Sequence, residues 1–333
     1  MINVTKHGII LSKRNFAFEA EGVLNPAVIQ FEGSIHMFYR AVAKGNRSSI
    51  GYCRLEDPLT VIEQYDYPIV VAENDYEAQG VEDPRIVKIE DTFYLSYSGY
   101  DGQNAFGCVA LSDDLKTFQK LGVIVPKVTG DELRSLLKEK SLNLKYFQPS
   151  TGNQYVWDKN LVFFPRKING KLAFLHRIRP GIQIAFAKDL RDLTTEYWHK
   201  YFSEFENHIV LDPKFTHELS YIGGGCPPIE TDYGWLLIYH GVHDTINGYE
   251  YVACAALLDL DDPTKEIARL PYPLFKPEEK WETEGYVDYV CFPTGSVEVN
   301  DVLYIYYGAA DERIGVASLS KSCLLEELLK YKV

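Results

Sequence analysis

The chain has 333 residues, 46% of them hydrophobic, and a formal net charge of −13. That length fits one large domain or two smaller ones, and the charge argues against nucleic-acid binding through phosphates while suiting a neutral, hydroxyl-rich ligand. Six cysteines without CxxC spacing argue against zinc, no metal or cofactor is expected, and no apolar run reaches the length of a signal peptide or a membrane span, so a cytoplasmic protein with reduced thiols is expected.

Tyrosine is abundant (24) and methionine rare (2), a bias towards strands. Along the chain one pattern recurs five times: GSIHMFYR (33–40), DTFYLSYS (91–98), GKLAFLHR (170–177), YGWLLIYH (233–240) and DVLYIYYG (301–308). Six positions after its start each reaches Tyr39, Tyr97, His176, Tyr239 or Tyr307. Each copy is preceded by a proline and a short strand-like run: NPAVIQFE, EDPRIVKIE, FPRKIN, CPPIETD and FPTGSVEVN. Proline suits the first residue of a strand. Each is followed by small residues alternating with apolar ones, as in IGYCRLEDPL, FGCVALSDDL and VACAALLDL, where Cys53, Cys108 and Cys254 read as small core residues.

Five units of at least three antiparallel strands, with a fourth available from the intervening segments, predict an all-β, five-bladed β-propeller forming a single domain over 1–333. The innermost strand of each blade would line a central channel, with the lead-in prolines at one end. Two segments depart from the repeat. The insertion at about 127–158 carries Leu133, Leu136 and Leu137 at helical spacing and reads as a short helix used as a rim or homo-oligomer contact. The C-terminal segment at about 320–331, with leucine at 324, 325, 328 and 329, reads as an amphipathic helix on the outside.

Glu82 and Asp83 sit at the lead-in of the second unit. Alone, a carboxylate before proline is an ordinary turn acceptor. Asn25 holds the corresponding place in the first unit, and Asp311 follows the hairpin of the fifth; carboxylates, amides and aromatics together suit a sugar. Lys159, Arg177 and His240 stand at strand ends in the third and fourth units, with Arg40, Arg177 and His240 in one register. Several cations aimed at one channel of an acidic protein either need an anion or pair with neighbouring carboxylates. His176 and His243 read as packing or rim histidines.

The segments NPAVI, FYRA, GVEDPRI, FPRKINGKLAFLHR, GGGCPPIETDYGWLLIYHGV, the run at 271–278 and FPTGSVEVNDVLYIYYGAAD together resemble glycoside hydrolase family 130 over roughly residues 20–318. That family comprises mannoside phosphorylases and some β-mannosidases on a five-bladed propeller. The resemblance implies that Asp83 is the general acid, that Asn25, Arg40 and Asp311 hold the mannosyl unit, and that Lys159, Arg177 and His240 hold phosphate. The hydrolytic members lack the histidine of YHG and carry a glutamate where this chain has Ile222. Many phosphorylases have a lysine one residue earlier, where Tyr221 stands here; its hydroxyl can donate to phosphate but brings no charge.

The expected reaction is phosphorolysis of a β-mannoside with inversion, giving α-mannose 1-phosphate, with a mannose-containing oligosaccharide and inorganic phosphate as partners. Asp83 would protonate the leaving oxygen directly or through a sugar hydroxyl, and Glu82 would orient substrate or tune Asp83. Phosphate is already a nucleophile, so a cationic nest replaces a second carboxylate. The alternatives are an inverting β-mannosidase, with Glu218 or Asp311 as base, and a non-catalytic sugar-binding propeller.

Overall fold

The computed structural model of the protein describes residues 2–137, 142–147, 154–246 and 248–333. They are mostly strand, arranged as five antiparallel meanders. The first unit comprises Gly22–Phe31, Ser34–Ala43, Arg47–Asp57 and Thr60–Gln64; the second comprises Gly80–Ile89, Thr92–Tyr100, Ala105–Ser112 and Gln119–Val123. A single parallel bridge, Ser48 to Gly80, joins these two into one sheet. The third runs Lys159–Phe163, Leu172–Arg177, Ile182–Ala187 and Ile209–Leu211. The fourth has Tyr221–Gly224 and Ile229–Thr231 on Gly234–Thr245, then Gly248–Leu258 and Glu266–Arg269. The fifth has Cys291–Val299, Val302–Ala309 and Arg313–Ser320, and takes its outer strand, Thr5–Leu11, from the other end of the chain. Units one to four pack in succession through their inner strands; the inner strand of unit five packs on the second and third strands of unit four and on the inner strand of unit one.

The repeated tyrosine has a physical reason. Tyr39, Tyr97, Tyr239 and Tyr307 are buried and each donates to a buried glutamate: Glu19 (2.8 Å), Glu77 (2.7 Å), Glu218 (2.5 Å) and Glu282 (2.7 Å). Each glutamate also meets a cation, respectively Arg14, Lys120, Arg269 and Lys6. Three of them accept two backbone N–H groups from the turn leading into the inner strand, as Glu218 does from Lys214 (2.9 Å) and Phe215 (3.2 Å). A buried carboxylate is tolerable only when saturated in this way. The latch fixes the turn that aims each inner strand, and Lys6 ties the N-terminal strand to unit five. Opposite Tyr39 and Tyr307 stand Gly51 and Gly315; a Cβ there would lie 2.4–2.5 Å from the tyrosine ring, so no larger residue fits.

Unit three departs from this rule. His176 replaces tyrosine, with Nδ1 2.8 Å from Asp158 and Nε2 2.8 Å from the Tyr201 hydroxyl. Tyr201 lies on a helix, Thr195–Ser203, that the sequence reading did not anticipate and that packs on the expected insertion helix, Gly130–Leu136. His176 is thus a packing histidine, as expected, and His243 lies 3.2 Å from Glu250. Part of the 127–158 insertion (138–141 and 148–153) lies outside the described residues. The C-terminal helix is Lys321–Leu328, capped by Ser320 and continued by a 3-10 turn, and it buries Leu324, Leu325 and Leu328. Among the described residues no helix is long and apolar enough to cross a membrane.

All six cysteines are free, and Cys53, Cys108 and Cys254 are fully buried on third strands. Burial pushes each thiol up, Cys108 to about 12. Native protein is therefore expected to react with a maleimide at one cysteine, the exposed Cys323, the other five following only on unfolding. Peptide mapping of the label checks this; rapid native labelling of Cys53, Cys108 and Cys254 would contradict it.

Candidate active site

The inner strands of units one, two and three break register at one place: between Leu24 and Ala27, Glu82 and Arg85, and Lys159 and Val162. At each break one residue takes a left-handed backbone: Asn25 (φ 50°), Asp83 (φ 51°) and Asn160 (φ 54°). Such a bulge re-aims its side chain, and asparagine and aspartate tolerate that conformation best. Pro26 and Pro84, which follow in two of the units, lack the N–H that an unbroken ladder would need. The three side chains line one cavity.

The residue before each bulge pairs across the strand with a second-strand residue: Leu24 with Arg40, Glu82 with Ser98, Lys159 with Arg177. Gly223 with His240 and Phe292 with Gly308 continue the series. The common register of Arg40, Arg177 and His240 is thus as expected.

Two adjoining cavities of about 250 and 190 Å³ share Arg40, Trp157, Lys159 and Asp311. In the smaller, Asp83 accepts from Asn25 Nδ2 at 2.7 Å and lies 3.6 Å from Arg40 and 3.9 Å from Lys159. Glu82 lies 2.8 Å from Arg40 and 3.5 Å from Lys159. Burial alone would raise the Asp83 carboxyl, but Lys159, Arg40 and the Asn25 amide outweigh it and hold it at about 2. Behind it Arg85, fully buried, donates to the backbone carbonyls of Asp83 (3.0 Å), Pro84 (2.9 Å) and Gly225 (2.6 Å), pinning the acid's backbone against unit four.

Asp311 also has a left-handed backbone (φ 50°) and lines both cavities. Burial, with Asp83 and Glu82 nearby, outweighs Arg40 and Lys159 and raises its carboxyl to about 6. A raised folded-state value means stability present at low pH is lost as pH rises through about 6. Asp311→Asn is therefore expected to stabilise the fold above that value, by at most about 3 kcal/mol from a two-unit shift, and to change nothing at pH 4. Thermal melts at the two pH values check this; a variant less stable than wild type at pH 8 would contradict it.

The opposite wall of the smaller cavity is cationic. Arg177 and Arg179 have no carboxylate within 4 Å among the described residues. Their guanidinium carbons stand 5.1 and 3.8 Å from the centre of the Tyr221 ring, whose hydroxyl meets that of Tyr251. Burial and the neighbouring Arg179 lower Arg177 to about 10, so it stays charged at neutral pH.

The structure thus brings together Asn25, Arg40, Glu82, Asp83, Lys159, Arg177, Tyr221 and Asp311. His240 differs from expectation. It is fully buried and stands behind the wall, its ring 4.4 Å from Phe292 and Nε2 3.5 Å from Asn160 Nδ2. Gly223 opposite it has no side chain, which leaves the ring room to fold inward. Burial and Arg177 hold it well below the usual histidine range, so it is neutral. Lys159 is not a free cation either, being shared with Glu82 and Asp83. The sequence reading missed Arg179, Asn160, Tyr251 and Arg85, and the aromatic rim of the larger cavity: Tyr100, Trp157 and Tyr286. Asn160 was findable, because it holds the place of Asn25 and Asp83 one unit on.

Glu218, a candidate base for hydrolysis, is saturated by its latch and fully buried. Its ligand atoms, with those of His217 and Cys254, lie within 4.8 Å of one another, but the carboxylate's bonds to tyrosine, arginine and backbone leave it little to offer a metal. Ile222 is fully buried in an apolar cluster.

A family model described as beta-1,4-mannooligosaccharide phosphorylase, glycoside hydrolase family 130, matches residues 4–330. The chain is 39% identical over 323 residues to a beta-1,2-mannobiose phosphorylase of Thermoanaerobacter sp. (strain X514), covering 91% of this chain and 92% of that one. It is 34% identical to a 1,2-beta-oligomannan phosphorylase of the same organism, covering 93% and 94%. Among solved structures, a beta-1,2-mannobiose phosphorylase from Listeria innocua in complex with beta-1,2-mannobiose has the same fold, with a TM-score of 0.76, 23% identity and coverage of 98% and 99%. On these grounds the chain belongs to glycoside hydrolase family 130.

Proposed function

We propose that this protein is an inverting phosphorylase that cleaves a β-1,2-linked mannoside with inorganic phosphate to give α-mannose 1-phosphate. The observation that carries this reading is the pair of guanidiniums, Arg177 and Arg179, that face the Asp83 cavity without a carboxylate partner among the described residues. In a chain at −13, a buried arginine without a carboxylate partner, Arg177, beside the more exposed cation of Arg179, favours a ligand anion. The five meanders and their mutual packing support a five-bladed propeller, one domain with this site at the mouth of its channel. Six free cysteines suit a reducing cytoplasm.

Mannose sits against Asn25, Arg40, Glu82 and Asp311, with phosphate on the Arg177, Arg179 and Lys159 side. Tyr221 and Tyr251 offer it hydroxyl donors. His240 acts one layer back, ordering Asn160. Asp83 delivers a proton to the departing oxygen through a sugar hydroxyl as C1 acquires oxocarbenium character, and phosphate enters from the opposite face. No second carboxylate is required. The role of inorganic phosphate is that of co-substrate, and the residues call for no further cofactor.

The linkage is read from the two Thermoanaerobacter relatives, whose names specify β-1,2 bonds. Initial rates on β-1,2- and β-1,4-mannobiose at equal concentration test it. At least tenfold preference for the β-1,2 isomer is expected; preference for the β-1,4 isomer would overturn the linkage and leave phosphorolysis standing.

A further inference from the structure

Around Arg40 and Lys159, the two cations common to both cavities, stand three carboxyl groups: Asp311, which lines both, Glu82 in the larger and Asp83 in the smaller. Arg40 comes from unit one, Glu82 and Asp83 from unit two, Lys159 from unit three and Asp311 from unit five; the Tyr251 hydroxyl of unit four faces them. Glu82 meets both cations, at 2.8 and 3.5 Å. Asp83 meets the same two at 3.6 and 3.9 Å and accepts from Asn25. Asp311 differs: among the described residues its carboxyl has no hydrogen bond and no cation within 4 Å. Both cations are thus already shared by Glu82 and Asp83, and a third ionised carboxyl would face two like charges in a half-buried space.

We propose that Asp311 stores the transferable proton of the resting site and that Asp83, ionised at rest, relays it to the leaving oxygen. The proposal rests on the phosphorolytic reading above and adds to it a second residue for the proton's path. A direct acid must hold its proton at working pH, and the geometry gives Asp83 three reasons not to. The two carboxyls are pushed apart, Asp83 to about 2 and Asp311 to about 6, a division of labour seen where neighbouring acids take different roles.

The step balances. The Asp311 O–H proton passes by way of Asp83 and a bound hydroxyl to the glycosidic oxygen. The C1–O bond breaks, and its electron pair stays with that oxygen, which takes the proton. A monohydrogen phosphate oxygen forms the new bond to C1. The proton carried in by phosphate then returns to Asp311, and the sugar phosphate leaves as a dianion.

Infrared difference spectroscopy of the substrate-free protein between pH 5 and pH 8 tests the storage without using activity. A protonated-carboxyl band titrating near 6 is expected in wild type; in Asp83→Asn, which lacks one of the like charges that raise Asp311, it is expected to persist with its midpoint moved down, and in Asp311→Asn to be absent. Asp311→Ser serves as a second variant should the amide not fold. A band lost in Asp83→Asn and kept in Asp311→Asn, or no band in wild type, overturns the proposal. The relay is read from kinetics. Wild-type kcat/KM should fall as pH rises through about 6, and Asp311→Asn should lose that limb. The variant's loss should shrink at least tenfold on an aryl mannoside whose leaving group needs no proton. An equal loss on both substrates overturns the relay. Phosphate-independent release of mannose would instead overturn the phosphorolytic reading and leave the infrared result intact.

Discussion

Asp83→Asn is expected to lower turnover of an unactivated mannoside about 10²–10⁴-fold, the range typical of a lost general acid. The substitution keeps the shape that Asn25 contacts at 2.7 Å but removes the carboxylate that passes the proton on to the leaving oxygen. It also removes one negative neighbour from Arg40 and Lys159. Phosphate binding should therefore be unchanged or tighter, so the loss should appear in kcat rather than in the KM for phosphate. Steady-state kinetics on β-mannobiose and on an aryl mannoside separate the terms. Near-full turnover on the unactivated substrate would remove Asp83 from the mechanism.

Arg177→Ala is expected to weaken phosphate binding about ten- to a hundredfold, with the affinity for mannoside alone little changed. Each charge-assisted bond to a phosphate oxygen contributes roughly 1.5–3 kcal/mol, and the buried Nε–H of Arg177 has no partner among the described residues. Arg179, stacked on the same tyrosine, should show a comparable effect. His240→Ala should cost less, because a neutral ring behind Asn160 contributes position and no charge. Calorimetric titration with phosphate, in the absence of sugar, reads these constants directly. An Arg177→Ala protein that binds phosphate as wild type does would show that the cationic wall serves another purpose.

The repeat was legible because one structural demand is imposed in each unit. A tyrosine must reach a buried glutamate from the same place in the second strand, so Tyr39, Tyr97, Tyr239 and Tyr307 recur. Its glutamate was not legible. Glu19, Glu77 and Glu218 stand three residues before their inner strands, but Glu282 stands nine before Cys291, and the cation arrives from a different segment each time. Nothing local to TKHGIIL tells that it completes unit five rather than opening unit one; the pairing with Arg313–Ser320 spans the whole chain.

At the site, the carboxylates were readable because an asparagine or aspartate before proline marks the bulge, as at Asn25 and Asp83. Register was readable too, since Arg40, Arg177 and His240 each stand one residue past the repeated position held by Tyr39, His176 and Tyr239. Depth was not. Arg177 reaches the cavity, whereas His240 in the same register turns inward because Gly223 leaves space and Phe292 offers a face. Arg179 and Tyr251 belong to different units, and only the packing of those units around Tyr221 brings them to one wall.

The account stands most directly on the dependence of cleavage on phosphate. Initial rates of β-1,2-mannobiose breakdown should be measured across phosphate concentrations, with the sugar product identified by phosphorus and proton NMR. The rate should rise from near zero, saturate, and yield α-mannose 1-phosphate and mannose in equal amounts. An undiminished rate without phosphate, giving mannose alone, would contradict it.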